Sequence, residues 1–192
     1  MIVGFLRHFP TGWNAAGRIQ GRSDPSLSPE SRAALARLRL PDPWRGLPVI
    51  SSPLCRALET ARALAAGPVV ADPRLVEMDF GAWEGRRAAE LLADPASGFR
   101  PVEAWGWDFR PPGGESPAEI VPRLVAALAE LPGPALIVTH RGVMRCALAL
   151  ATGWGYRGPE PFRIRRAMIH PVTIGPDGRP GGLGRPEPLV AR

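Results

Sequence analysis

The chain has 192 residues, 45% of them apolar, which is enough for one substantial core and too few to make two full domains the expectation. It contains no lysine, so all 24 basic residues are arginine, set against 18 acids for a formal charge of +6. That excludes a Walker-type phosphate loop, Schiff-base chemistry and a lysine base. The arginines alternate with acids and never run five or six together, which argues for a solvated, arginine-biased exterior and against a nucleic-acid surface. No run of about 18 apolar residues occurs, and no basic lead precedes the short apolar start, so the reading is a cytoplasmic protein without membrane contact. Cys55 and Cys146 fall in no metal-like or CxxC spacing and read as small buried apolar groups in a reducing setting. Glycine and proline are scattered as punctuation until Gly175; we expect one domain over 1–175 and a loop or loosely held Gly/Pro-rich tail over 176–192.

In chain order, Ile2-Val3-Gly4-Phe5-Leu6 is long enough for one buried strand and runs into Arg7 and His8 before Pro10 and Gly12 stop it. A polar pair at a strand's carboxyl end lies where open α/β sheets bind ligands. After a polar loop over 11–27, Ser28-Pro29-Glu30 reads as an N-cap, a proline at the first helical position and a first-turn acid, opening a helix to about residue 40. A short strand at 48–51 leads into a helix with Leu54, Leu58, Ala61 and Leu64 at helical spacing. Arg56 then sits in the first turn, where backbone amides already favour an anion.

A strand over 68–71 follows, then Glu77-Met78-Asp79-Phe80-Gly81-Ala82-Trp83-Glu84-Gly85, a mix of acids, aromatics and glycines typical of a structured functional loop. Spacing alone does not say which acid acts. A helix over 85–93 precedes an aromatic, Pro-rich stretch with Phe99, Trp105, Trp107 and Phe109, which reads equally as a lid over a pocket or as a satellite core. Ser116-Pro117-Ala118-Glu119 is a capping box opening a helix that buries Ile120, Leu124, Leu128 and Leu131 and that Pro122 should distort. The apolar run over 134–139 predicts a central strand covered on both faces, ending in His140-Arg141-Gly142 and a helix over 143–152. The segments 162–165 and 168–174 supply one or two antiparallel edge strands. The expected fold class is α/β: a three-layer α/β/α sandwich with a mostly parallel central sheet and an antiparallel edge strand.

His8 and His140 thus occupy equivalent strand ends, one preceded and the other followed by arginine, whereas His170 lacks that context and reads as structural. The pair lacks the HxH or HExxH spacing of hydrolytic metal sites, and no G-x-S-x-G elbow is present, so neither a metal nor a serine nucleophile is expected. What Arg7, Arg56 and two histidines can do is hold a phosphate. Each cation about 4 Å away contributes on the order of 4 kcal/mol at an effective dielectric near 20, before desolvation. Neighbouring guanidiniums also disfavour a protonated imidazole, which keeps a lone pair on His8 for attack on phosphorus.

These residues carry a resemblance. Leu6-Arg7-His8 with Thr11, Trp13-Asn14, Gly17-Arg18 and Gln20-Gly21 resembles the R-H-G-x-S/T-x-W-N…G-R-x-Q-G opening of the histidine phosphatase superfamily, also called phosphoglycerate-mutase-like. Ser51-Ser52-Pro53-Leu54-Cys55-Arg56-Ala57-Leu58-Glu59-Thr60-Ala61 is similar to its S-S-x-x-x-R-A-x-x-T-A segment, 77–85 to its acid loop, and Thr139-His140-Arg141-Gly142 to its second histidine. Four motifs in the right order span about residues 2 to 150. The resemblance implies a cofactor-independent enzyme acting on a small phosphorylated substrate. His8 would be the nucleophile forming a phosphohistidine; Arg7, Arg56 and His140 would hold the phosphoryl oxygens; Glu77 would protonate the leaving alcohol and then activate water. Asn14 would hydrogen-bond the phosphate, with Thr11 and Gln20 at the pocket edge. Glu115 falls near a frequent family motif but reads equally as helix capping.

Two departures stand out: Phe9 replaces the glycine usual after the nucleophile, which should stiffen the backbone and narrow the pocket or make it more apolar. Arg141 replaces a glycine common after the second histidine, which bears on substrate choice and phosphate approach. The short chain and the Phe-Gly-x-Trp-Glu-Gly loop are more similar to the small phosphatases, α-ribazole phosphatase-like members among them, than to glycolytic mutases with longer insertions. The expected function is therefore a phosphomonoesterase. Mutase-type phosphoryl transfer is the runner-up, and an arginine-rich protein that captures phosphorylated ligands or RNA without turnover is the non-enzymatic rival.

Overall fold

The computed structural model describes residues 1–192, and its elements begin and end where the apolar runs do. Strand β1 (Ile2–Arg7) buries Val3, Phe5 and Leu6 completely. One helical turn, α1 (Gly12–Ala15), is capped by Thr11, and α2 (Pro29–Leu35) starts at Ser28, whose hydroxyl accepts the Ser31 N–H. The chain continues through β2 (Leu38–Arg39), β3 (Val49–Ser51), α3 (Cys55–Leu64), β4 (Val69–Ala71), α4 (Ala88–Ala93), α5 (Pro117–Ala129), β5 (Ala135–Thr139) and α6 (Arg141–Thr152). Four strands close it: β6 (Met168–Ile174), β7 (Pro180–Leu183), β8 (Glu187–Pro188) and β9 (Val190–Ala191). No helix is long and apolar enough to cross a membrane.

The main sheet runs β4-β3-β5-β1-β6-β7, with β8 also paired to β6. The four strands from β4 to β1 are parallel, and β6, β7 and β8 are antiparallel additions. Alternation along the strands sends side chains into two separate cores, one on each face. Val3, Phe5, Ile137, Val172 and Ile174 meet α5 and α6 through Leu124, Leu128, Met144 and Leu148. Leu6, Val49, Leu136, Val138 and Ile169 meet α2 and α3 through Leu35, Ala57, Ala61 and Leu64. That is the three-layer α/β/α arrangement with a mostly parallel sheet. Gly4 belongs to the second face, where a β-carbon would meet the Trp44 ring at 2.5 Å, so the close approach of that indole to β1 requires glycine.

Several local expectations are corrected. The helix predicted to reach residue 40 ends at Leu35, because Leu38 and Arg39 pair instead with Ala191 and Val190 at the far end of the chain. The tail is not loose: β7 extends the main sheet, β9 forms the ladder with β2, and Leu189 is buried in the second core. Strand β6 is therefore interior, the antiparallel edge is β7, and 162–165 forms no strand. Pro122 leaves α5 unbroken. Cys55 is exposed, since Ala57, Ala61 and Leu64 take the buried side of α3, while Cys146 is buried as expected. The aromatic stretch is core and not a lid: Trp83 packs edge-on to Phe99 at 4.8 Å and lies 5.8 Å from Phe109, and its indole N–H donates to the Ser97 carbonyl. If the last residues hold the second core closed, Leu189→Ala lowers the free energy of unfolding in urea by about 2 kcal/mol, the low end for large-to-small core changes; an unchanged midpoint would return the tail to a loose end.

Candidate active site

Parallel pairing of β1 with β5 sets Arg7 opposite Thr139, and the His8 N–H donates to the Thr139 carbonyl at 2.9 Å. The two strands end at the same edge, so His8 and His140 come together with ring centroids 5.2 Å apart. The end of β3 joins them: the Ser52 N–H donates to Val138 O at 3.0 Å, and Ser52 Oγ lies 2.7 Å from His140 Nε2. Ser52 Oγ also accepts the Leu54 N–H, and a proton donated by this hydroxyl to Nε2 would leave the His140 proton on Nδ1. That Nδ1 is buried without a partner. His8 Nδ1 lies 2.7 Å from the Phe9 carbonyl and donates to it, so Nε2 keeps its lone pair.

Arg56, in the first turn of α3, is fully buried. It donates through Nη2 to Gly21 O at 2.6 Å and through Nη1 to Ser23 O at 2.7 Å. The loop that offers those carbonyls is held by Glu84, which accepts the Arg22 and Ser23 N–H groups, the Ser23 hydroxyl and the Phe80 N–H. Gly21 has φ +52°, and a β-carbon there would overlap Glu84 Oε1, so this lock requires glycine. Glu77 projects from the other side. Its Oε1 accepts from Met78 N at 2.9 Å and, with Oε2, from Gly142 N at the start of α6. The segment before it is pinned by Arg123, which donates to the carbonyls of Arg74, Val76 and Glu77 and is itself paired with Glu115 at 3.1 Å.

Among these groups opens a cleft of about 250 Å³, lined by Arg7, His8, Asn14, Gln20, Arg56 and Glu77, while His140 is fully buried and outside the lining. Burial, followed by the charges of Arg56 and Arg7, holds His8 well below the usual histidine pKa; burial and Arg56 do the same to His140. Both rings are neutral near pH 7; His8 has a free nucleophilic nitrogen, and His140 Nδ1 has no partner. Of the five buried side-chain polar atoms without a partner, three are Arg7 Nε, Arg56 Nε and His140 Nδ1. Leaving such donors unmet costs about 1–3 kcal/mol each, so the arrangement suits an anion with several oxygens. No three His, Cys, Asp or Glu side chains are grouped as metal ligands would be.

Most residues read from the sequence are brought together here, with three qualifications. Thr11 is buried and supports the cleft from behind: it caps α1, and its hydroxyl donates to Gln20 Oε1 at 3.1 Å. Asn14 Oδ1 accepts the Thr11 N–H at 3.0 Å, leaving its amide NH₂ for a ligand oxygen. Glu115 is a structural partner of Arg123 and does not line the cleft. Phe9 does not narrow the pocket. Its ring is buried in the second core and its N–H donates to Thr60 Oγ1 at 3.0 Å, while its φ stays negative, so no glycine is needed. His170 is buried on β6, away from the cleft lining. Phe80, Arg145 and Gly142 were not anticipated as lining residues; the spacing of Arg145 one turn beyond Arg141 on α6 is the signal that could have found it.

A family model described as "Histidine phosphatase superfamily (branch 1)" matches residues 3–180. A probable phosphoglycerate mutase GpmB of Enterobacter sp. (strain 638) is 33% identical over 177 residues, covering 87% of this chain and 82% of its own length. The protein of that name from Klebsiella pneumoniae (strain 342) is 34% identical over 180 residues, 88% of this chain and 83% of its own. The crystal structure of a phosphoglycerate mutase from Thermus thermophilus superposes with a TM-score of 0.75 at 32% identity, covering 99% of this chain and all of the other.

The buried histidines also make stability depend on pH. Each is neutral when folded and titrates near 6.5 when unfolded. The folded pKa lies below the unfolded one, so their contribution is intact above about pH 6.5 and drains as pH falls, by up to about 1.4 kcal/mol per pH unit for each ring. Urea denaturation between pH 7 and 5 should show declining stability, and His140→Asn a shallower decline; parallel curves would mean that the rings are protonated in the folded protein.

Proposed function

The chain belongs to branch 1 of the histidine phosphatase superfamily, and from that premise we propose that it is a metal-independent phosphomonoesterase working through a phosphohistidine on His8. The observation that carries this reading is the pair of neutral, buried imidazoles flanked by unmet guanidinium donors. His8 Nε2 attacks phosphorus in line with the ester oxygen, and the P–O bond to the alcohol breaks as the N–P bond forms. Arg7, Arg56 and the His140 Nδ1–H take the three non-bridging oxygens, where negative charge spreads in the transition state. The amino end of α6 adds its dipole from beside His140. Asn14 donates to one further lone pair of those oxygens.

Glu77 supplies the proton moves. It gives its proton to the departing alkoxide, and in the second step takes one from a water that attacks the phosphohistidine, returning phosphate and free His8. Gly142 positions that carboxylate through its N–H, and its lack of a side chain makes room, since a β-carbon there would lie 2.5 Å from Glu77 Oε1. Phosphoglycerate mutase-type transfer is the second reading, favoured by the names of the relatives: the phosphohistidine then returns its phosphoryl group to another hydroxyl of a bound sugar acid. The two free thiols, one of them exposed, fit a cytoplasmic setting.

Incubation with p-nitrophenyl phosphate should release nitrophenol and leave an acid-labile phosphoryl group on His8, with no activity in His8→Ala. Absence of both would leave a phosphate-binding protein without turnover. Following phosphate release alongside isomer interchange on 3-phosphoglycerate separates hydrolase from mutase. Glu77→Gln should lose about 10²- to 10⁴-fold on an alkyl phosphate and much less on p-nitrophenyl phosphate, whose leaving group needs no proton. An equal loss on both would remove Glu77 as the acid. Gly142→Ala and Glu84→Gln should each lower kcat/KM by about 10²-fold through misplacement of Glu77 and Arg56 respectively, with KM for phosphate release rising mainly in Glu84→Gln.

A further inference from the structure

A second cleft opens on the α6 face of the sheet, across the segment that follows Glu160. Glu160 itself braces Arg145 and Arg141 at the catalytic cleft, whereas Pro161, Phe162, Arg163 and Arg165 wall the other space. Alternation along β6 puts Met168 and His170 on the same face as Val172, and the turn after β7 closes the remaining side. The space measures about 490 Å³, the size of a small-molecule site, and shares no lining residue with the catalytic cleft.

Its lining has two kinds of surface. Leu148 of α6, Phe162, Met168 and Leu183 supply an apolar wall, and Leu183 is left 40% exposed. Around that wall stand Arg163, Arg165 and Arg185, and no acid lines the space. None of the three makes an ion pair, in contrast to Arg141 and Arg145 across the segment. The acids closest in sequence are engaged or directed elsewhere: Glu160 holds Arg145, and Glu187 pairs with Ile169, whose side chain belongs to the opposite face of the sheet. The one buried polar side chain in the lining is His170, at 3% exposure. Its Nε2 lies 3.3 Å from the Arg165 backbone nitrogen and 3.4 Å from the Arg165 carbonyl oxygen. Its Nδ1 has no partner and is not among the five enclosed orphan atoms, so it opens onto the cleft.

Water meets exposed guanidiniums well and an apolar wall badly, so a ligand gains most here if it covers the wall and also carries negative charge. We propose that this cleft is a second ligand site, for a small amphipathic anion with a short aliphatic chain and a carboxylate, sulfonate or phosphate at one end. The chain lies against Leu148, Phe162, Met168 and Leu183. The anionic end meets the three arginines, and His170 Nδ1 is the polar group beneath it. No residue serves both clefts, so the site stands apart from the phosphomonoesterase reading.

The test is calorimetric titration with octanesulfonate, below its micelle concentration and at saturating orthophosphate to keep the catalytic cleft filled. Methanesulfonate carries the charge without the chain, and 1-octanol the chain without the charge; octanesulfonate should bind at least about tenfold more tightly than either. One exposed ion pair yields about fivefold at most. The readable variant is therefore the triple one, Arg163→Gln with Arg165→Gln and Arg185→Gln, which should weaken octanesulfonate at least about tenfold while keeping the parent's unfolding midpoint. The chain has three histidines, which report location: on titration of protein labelled with ¹⁵N-histidine, the ring nitrogens of His170 shift. Equal affinities for the three ligands, a triple variant that binds like the parent, or shifts confined to His8 and His140 overturn the site. Retention on phosphatidylglycerol vesicles without binding of free octanesulfonate overturns it in favour of a lipid surface. A parent that forms no phosphohistidine fails the proposed activity alone.

Discussion

The parallel ladder between β1 and β5 is the constraint on which the cleft depends. Parallel strands finish at the same edge of a sheet, so two histidines far apart in the chain become neighbours once Arg7 is set opposite Thr139. The His8 N–H to Thr139 carbonyl bond continues that ladder one residue past the strand. A slip of one residue would turn every side chain of β5 to the opposite face, mixing the two cores and carrying His140 away from His8. The register is therefore fixed by burial of Leu136 and Val138 on one side and Ile137 on the other, long before any ligand is considered.

A chain without lysine, whose permanent side-chain cations are all arginine, must distinguish structural from functional cations by their partners. Arg32, Arg74 and Arg123 meet carboxylates at 2.7–3.1 Å and serve as braces. Arg56 is held chiefly by the Gly21 and Ser23 carbonyls, which orient a guanidinium without neutralising it. Its charge stays available to a ligand and to the imidazoles. Desolvation that makes such a cation costly also keeps His8 neutral, so one burial serves both the anion site and the nucleophile.

Strand ends were legible in the sequence because an apolar run that stops at Arg-His or His-Arg announces both burial and chemistry. The first turn of α3 was readable from the spacing of Leu58, Ala61 and Leu64, although the helix opens only at Cys55, with Leu54 as its N-cap. What escaped depends on partners distant in the chain. Nothing local in Leu38-Arg39 tells of a ladder with Val190-Ala191, so the capping signal at Ser28 extended the helix too far. Tail glycines and prolines suggested looseness, yet β6 offered an edge that 180–183 could join. The supports of the cleft were hidden for a similar reason: Glu84 and Arg123 act on backbone groups of other segments, and a sequence shows no pattern for a carboxylate that holds a loop.

The two positions where glycine was expected separate these influences. Phe9 turns its ring into the second core, where Leu6, Leu27 and Ala57 receive it, and its N–H is taken by Thr60, so the change is absorbed by packing. Arg141 is not absorbed in this way: it stands half-exposed at the amino end of α6 and lines the cleft. Its neighbour Gly142 must keep clear of Glu77, and its other neighbours Arg145 and Arg7 repel it. Glu160 meets that cation only at 4.0 Å, so most of its charge faces the cleft.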